Sequence, residues 1–275
     1  MVTNQIIMKK LFLFVTALIV VNVAIAQKLP NIQTASLRVP ANIKVDGKAT
    51  EWDNQFQAYN KATDVFYTVA NDNNKLYLTL QATDEYIIKK ILWGRMIFSI
   101  NRLAKKQDAN AITITYPVID RKERPTINFK EIPKLIEGNM ASIAQADSFS
   151  NLANRRLAEK AKMIKVTGVK TLDTLISVYN TDGIKTAIRF DNKMIYTYEL
   201  AVDLKALGLT ANNSDKFYYN LMLAELPIDD RPGINITRAP NGEIMSVSID
   251  KSQTNAGTNI FMYTTDFWGE YALAK

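Results

Sequence analysis

Residues 43–84 read IKVDGKATEWDNQFQAYNKATDVFYTVANDNNKLYLTLQATD, and the fold turns on their second half. Residues 65–70 are β-branched and aromatic at most positions, which predicts a strand. Asn71, Asp72, Asn73 and Asn74 then supply short polar side chains that cap their own backbone and tolerate left-handed conformations, which predicts a turn. In the next run, Leu76, Leu78 and Leu80 fall on one face of a strand and Tyr77, Thr79 and Gln81 on the other. Upstream, Asp46-Gly47 is a turn signal, a short strand is expected at 43–45, and Glu51-Trp52 follows closely. A hairpin of this kind cannot bury its apolar face alone, so the rest of the chain must supply a second layer.

Working outward toward the start, Lys9 and Lys10 form a basic region, residues 11–24 are almost continuously apolar, and Ala24-Ile25-Ala26 has the small-x-small form of a cleavage site. This pattern predicts a signal peptide over 1–26, with Met8 as an alternative start, and a periplasmic or secreted product. An uncleaved anchor is the weaker reading, because the apolar run is short for a membrane span. With the signal removed, no transmembrane anchor is expected. The formal charge of +7 falls to +5 once Lys9 and Lys10 are gone, which does not specify a nucleic-acid partner.

The chain holds no histidine and no cysteine. That excludes histidine-based triads, histidine–zinc hydrolysis, thiol nucleophiles, cysteine-ligated zinc and disulfides. Any catalysis would rest on carboxylates, Lys, Tyr, Ser/Thr or an oxygen-ligated metal.

Toward the C-terminus the chain alternates short apolar runs with turns. Strands are expected at 96–101, 111–116, 174–179, 184–190, 194–202, 216–225, 244–249 and 259–265. Residues 87–92 fit a helical turn or a packed loop, and 102–110 a charged hairpin connection. Residues 203–208 predict one helical turn closed by glycine. Residues 226–242 predict a long polar loop. A helix is expected at 150–162, where Leu152, Arg156, Leu157 and Ala161 lie near helical spacing. The cations Arg155, Arg156, Lys160, Lys162 and Lys165 read as a solvated face. Sequential short strands without crossover helices predict a mainly β fold, an antiparallel β-sandwich of jelly-roll or immunoglobulin-like type. One domain is expected over 27–275, with a helical insertion at about 117–165. A small membrane-facing barrel is the runner-up.

The pattern V-D-G-x-x-x-E-W at 45–52, the aromatic-containing run to Asp64, N-K-L-Y-L at 74–78 and Thr83-Asp84 together resemble the family 9 carbohydrate-binding module and its DOMON-type relatives. Tyr198-Glu199 followed by Leu204, and the ending at Trp268-Gly269, are similar to that family as well. The resemblance implies a β-sandwich in which Asp46, Gly47, Glu51, Trp52 and Tyr77 are structural. It also implies non-catalytic recognition of a carbohydrate or glycan.

Sugar binding needs flat aromatic faces ringed by planar polar groups. Trp93 is the first candidate because it stands beside Gly94 and Arg95 in a connection. Trp268 is the second, and Arg95 and Asp84 are the accompanying polar groups. No cofactor is required, although a structural calcium drawn from Asp46, Asp64, Asp72 and Asp84 stays open. Two alternatives accompany the glycan reading. One is an envelope structural or assembly protein whose 117–165 insertion or 226–242 loop holds a protein partner. The other is a carboxylate-dependent glycosidase, for which Asp229-Asp230 is the obvious but adjacent, hence unsuited, pair.

Overall fold

The computed structural model of the chain describes residues 28–53, 55–103, 105, 111–212 and 216–275. The signal peptide expected over 1–26 and most of the 102–110 connection lie outside the described residues.

Thirteen described strands and two α-helices follow in chain order: β1 (Ala58–Asn60), β2 (Val65–Asn71), β3 (Lys75–Ala82), α1 (Glu85–Gly94), β4 (Met96–Asn101), β5 (Ile112–Val118), α2 (Met140–Lys160), β6 (Met163–Thr167), β7 (Leu175–Ser177), β8 (Ile184–Phe190), β9 (Tyr196–Asp203), β10 (Phe217–Leu223), β11 (Ile234–Arg238), β12 (Ile244–Ile249) and β13 (Thr265–Tyr271). Five strands form one sheet in the order β1-β2-β3-β9-β8, and six form a second in the order β13-β10-β4-β5-β6-β7. Every pairing within them is antiparallel. Both sheets are open, so the architecture is a sandwich and not a closed barrel.

The quoted hairpin is β2 and β3, with Val69 opposite Leu78 and Tyr67 opposite Leu80. Leu76, Leu78 and Leu80 point into the core with Val65, Tyr67 and Val69. The other layer contributes Phe98, Ile114, Tyr219, Leu221 and Phe267 to the same core. Tyr67 sits 4.8 Å from Phe267 and edge-on to Tyr219 at 6.3 Å between ring centres. The hydroxyls of Tyr67 and Tyr219 are 3.2 Å apart, so each buried phenol finds a partner inside the apolar layer.

The outer face of the five-stranded sheet is not left to water. Thr79, Glu199 and Ala201 are buried although they point away from the sandwich core, and the Asp46-Gly47 turn lies against Glu199 and β8. Glu199 is the anchor. Its Oε2 accepts the backbone N–H groups of Asp46 at 2.9 Å and Gly47 at 2.8 Å. Burial pushes its carboxyl up to about 7, against the two N–H donors that pull it down. Gly47 has a φ of 80°, and a Cβ there would stand 2.7 Å from Cβ of Arg189. Glycine is therefore needed both for the turn and for the close approach to β8.

The structure corrects the sequence reading at several places. Residues 43–45 form no strand. The N–H of Ile43 bonds back to Pro40, and beyond Val45 the N–H groups of Asp46 and Gly47 go to Glu199 instead of to a neighbouring strand. Three strands that the sequence did not signal are present: β1, β6 and, within the expected 226–242 loop, β11. Residues 87–92 belong to a full helix, capped by the Asp84 carboxylate on the N–H groups of Tyr86 and Ile87.

The insertion is helical, but α2 begins ten residues earlier than expected. Its buried face is Ser142, Ala146, Ser150, Ala153 and Leu157, and Leu152 points outward. Small residues let α2 lie close to β8, where the Asn154 side chain bonds both N–H and C=O of Phe190. A search for large apolar residues at helical spacing misses such a seam.

The 226–242 segment is not simply a loop. It contains β11, which pairs with β12 in a separate two-stranded ribbon. The strand expected at 259–265 is instead a run of 3-10 turns, Ala256–Met262, started by a reciprocal cap between Asn255 and Thr258. The final strand lies further on and holds Trp268 and Gly269 in its middle.

Candidate functional site

The structure does not gather the sequence-derived candidates into one place. Asp84 is exposed and spent on its helix cap. Trp93, near the end of α1, is half-buried, packs on the core and lies 6.1 Å from the Phe261 ring. Its carbonyl accepts from Arg124 at 2.9 Å, and Arg124 also pairs with Asp230 at 2.8 Å. Arg121 pairs with the same carboxylate. Trp93 thus belongs to a packed junction between α1, the 121–124 turn and the 228–230 turn. Arg95 follows with a φ of 88° and an exposed side chain. It lines a cleft of about 650 Å³ whose other charged groups, Asp120, Glu123, Glu159, Lys160 and Lys162, are of both signs.

Trp268 stands elsewhere. β13 is the edge strand of the six-stranded sheet, and its odd residues Phe267, Gly269 and Tyr271 turn inward. Alternation therefore puts Asp266, Trp268 and Glu270 on the outer face. Trp268 is directly opposite Asn220 on β10, with Tyr218 and Met222 diagonal to it. Asn220 donates to the Asp266 carboxylate at 2.7 Å and to the Phe267 carbonyl at 2.9 Å, which fixes the amide and the carboxylate on that face. The Lys105 ammonium lies 5.7 Å from the centre of the Tyr218 ring. Two aromatic rings and two exposed carboxylates, Asp266 and Glu270, therefore share one outer patch, with the Asn220 amide buried beneath it. Tyr218 was not singled out from the sequence. Its alternation against the inward Phe217 and Tyr219 is the signal that could have found it.

The structural residues sit as follows. Asp46 and Gly47 bond Glu199 as described. Glu51 accepts from the Thr50 hydroxyl at 3.2 Å. Trp52 is half-buried in a 3-10 turn, with its indole N–H buried and without a partner among the described residues. Tyr77 is buried on the outer face of β3 and donates to Asp72 at 2.8 Å. Burial and that carboxylate together hold its phenol well above its ordinary range.

The four aspartates considered for calcium each serve a local structure. Asp46 caps Lys48, Asp64 accepts from Tyr59, Asp72 accepts the N–H groups of Asn74 and Lys75, and Asp84 caps α1. Among the described residues no three acidic side chains come together to hold a metal ion. Asp229 and Asp230 are both committed to arginines, Asp229 to Arg238 at 2.9 Å. Among the same residues, no helix is long and apolar enough to cross a membrane.

One further surface stands out. The β11–β12 ribbon has Ile234 opposite Ile249 and Ile236 opposite Val247. Alternation adds Met245 to that face, and Met245, Val247 and Ile249 are 69, 48 and 61% exposed.

An antiparallel β-sandwich with a helical insertion is the class this fold defines. Compared with known proteins, the chain matches no family model, and no curated protein is similar to it.

Proposed function

We propose that the protein is an exported, non-catalytic glycan-binding protein whose sugar-facing surface is the outer patch around Trp268. The observation that carries this reading is the partly exposed Trp268 on an edge strand, beside Tyr218 and the exposed Asp266 carboxylate, which the buried Asn220 amide holds in place. A ring on a rigid strand offers an apolar face for sugar C–H groups at little entropic cost, and the exposed carboxylates beside it select hydroxyls. The resemblance of the 45–52 and 74–84 segments to family 9 modules supports the same reading. A titration with the bound glycan, followed by tryptophan fluorescence, tests it. Trp268→Ala should weaken binding about tenfold or more while the protein stays folded. An unchanged affinity would reject the patch.

Export is part of the proposal, supported by the basic and apolar segments before Ala26. Sequencing the native N-terminus should begin at Gln27. A native chain that begins at Met1 or Met8 and stays membrane-bound would reject it.

A second reading, an envelope assembly protein, is favoured by one observation: the apolar face of the β11–β12 ribbon. A two-stranded ribbon is marginal in water without a covering surface. Cross-linking through the ribbon to an envelope protein, without glycan binding, would favour this reading over the first.

A further inference from the structure

At the end of the sandwich reached by β4, β5 and β9, a cleft of about 550 Å³ opens between the two layers. Its floor is aliphatic: Ile112 and Ile100 from the six-stranded sheet, Val169 from the turn after β6, and Leu207 from the turn after β9. Leu207 and Ile100 are core residues, so the floor is continuous with the interior. Its rim is cationic: Arg102, Lys170 and Lys205. Among the described residues no acidic side chain lines the cleft, and none of the three cations makes an ion pair. Arg102 is also oriented, because its guanidinium donates to the Gly208 carbonyl at 3.0 Å.

We propose that this cleft is a second ligand site, separate from the Trp268 patch, and that it takes an amphiphilic anion: an aliphatic chain ending in a carboxylate or phosphate. Three like charges around an apolar opening repel one another, and an oxyanion at the rim relieves that repulsion. The aliphatic floor matches a hydrocarbon stem. It offers neither the aromatic face nor the amide and carboxylate groups that a neutral sugar needs. The volume falls in the range of small-ligand pockets.

Calorimetric titration of the purified protein tests this with four probes: decanoate, octyl phosphate, inorganic phosphate and the neutral octyl glucoside. Decanoate and octyl phosphate should bind saturably, and both at least tenfold more tightly than octyl glucoside or inorganic phosphate. A preference between the two amphiphiles distinguishes a fatty carboxylate from a phosphate-bearing lipid as the source. The double variant Lys170→Met/Lys205→Met removes two charges from exposed positions and should weaken both amphiphiles at least tenfold. Its melting temperature should equal or exceed that of the wild type, because the repulsion is gone. The proposal is overturned if neither amphiphile binds, if octyl glucoside binds as tightly to the Trp268→Ala protein, or if the double variant binds unchanged. It is equally overturned if inorganic phosphate alone matches octyl phosphate, which would make the rim a bare anion site. Binding at the Trp268 patch is read by a different variant, so failure of either site leaves the other standing.

Discussion

Replacing Gly269 with alanine is expected to destabilise the protein by about 3 kcal/mol or more, the upper end of what overpacking a core costs. Gly269 lies opposite Tyr219 in the β10–β13 ladder. A Cβ there would fall 2.1 Å from Cζ of Tyr219 and 2.3 Å from its hydroxyl. The ring has nowhere to go. It is 1% exposed, its hydroxyl is bonded to that of Tyr67, and Phe267 stands edge-on to it at 6.4 Å. Moving it would break the phenol pair and leave a buried hydroxyl unsatisfied. Gly242→Ala is the internal control. Its φ is 89°, but nothing lies within 4 Å of the new Cβ. Only backbone strain of about 1–2 kcal/mol applies there. Urea unfolding of the two variants should separate them clearly. Equal losses would show that the Tyr219 cluster can repack.

The second large effect is a pH dependence centred on Glu199. Its carboxyl is raised from the usual 4.5 to about 7 in the folded protein, chiefly by burial, with Asp46 and Glu51 adding to the rise. The sign follows from proton counting. Between about pH 4.5 and 7 the unfolded chain has released this proton and the folded one retains it. The group's stabilising contribution is therefore complete below about pH 4.5, is lost as pH rises through about 7, and is constant above that. The full span is about 3 kcal/mol, because every tenfold gain in proton affinity on folding corresponds to about 1.4 kcal/mol. Glu199→Gln keeps an acceptor oxygen for the N–H groups of Asp46 and Gly47 and carries no charge. The stability of the Gln variant relative to wild type should therefore climb by about 3 kcal/mol between pH 4.5 and 8. Parallel pH profiles for the two proteins would show that Glu199 is not a buried, titrating anchor.

Glu199 also marks where reading the sequence reaches its limit. Asp46-Gly47 stands out as a turn signal, and Tyr198-Glu199 through the family resemblance. They are more than 150 residues apart, and nothing local says that one carboxylate holds the other turn. Local signals do well where the fold is local. The β2–β3 hairpin, β4, β8 and β12 follow alternation and turn chemistry closely. They do badly where a neighbour decides. The residues 259–265 have strand-forming composition, yet the Asn255–Thr258 cap makes their first half a 3-10 run. The helix α2 hides its buried seam in serines and alanines.

The candidate site is half legible. Tryptophan beside glycine and arginine looks like a binding loop, but Trp93 lies in a helix, half-buried against the core and Phe261, with its carbonyl held by Arg124. In the sequence Trp268 reads as part of a chain ending. Its strand pairing turns it into the centre of an outer patch with Tyr218 and Asp266, which only the β10–β13 register reveals.

The proposed function depends on which tryptophan meets sugar. A glycan array probed with wild type, Trp268→Ala and Trp93→Ala tests this most directly. Wild type and Trp93→Ala are expected to mark the same glycans, with Trp93→Ala less stable but unchanged in specificity, while Trp268→Ala loses the signal. Binding that survives in Trp268→Ala, or an array on which the wild type marks no glycan at all, would contradict the proposed function.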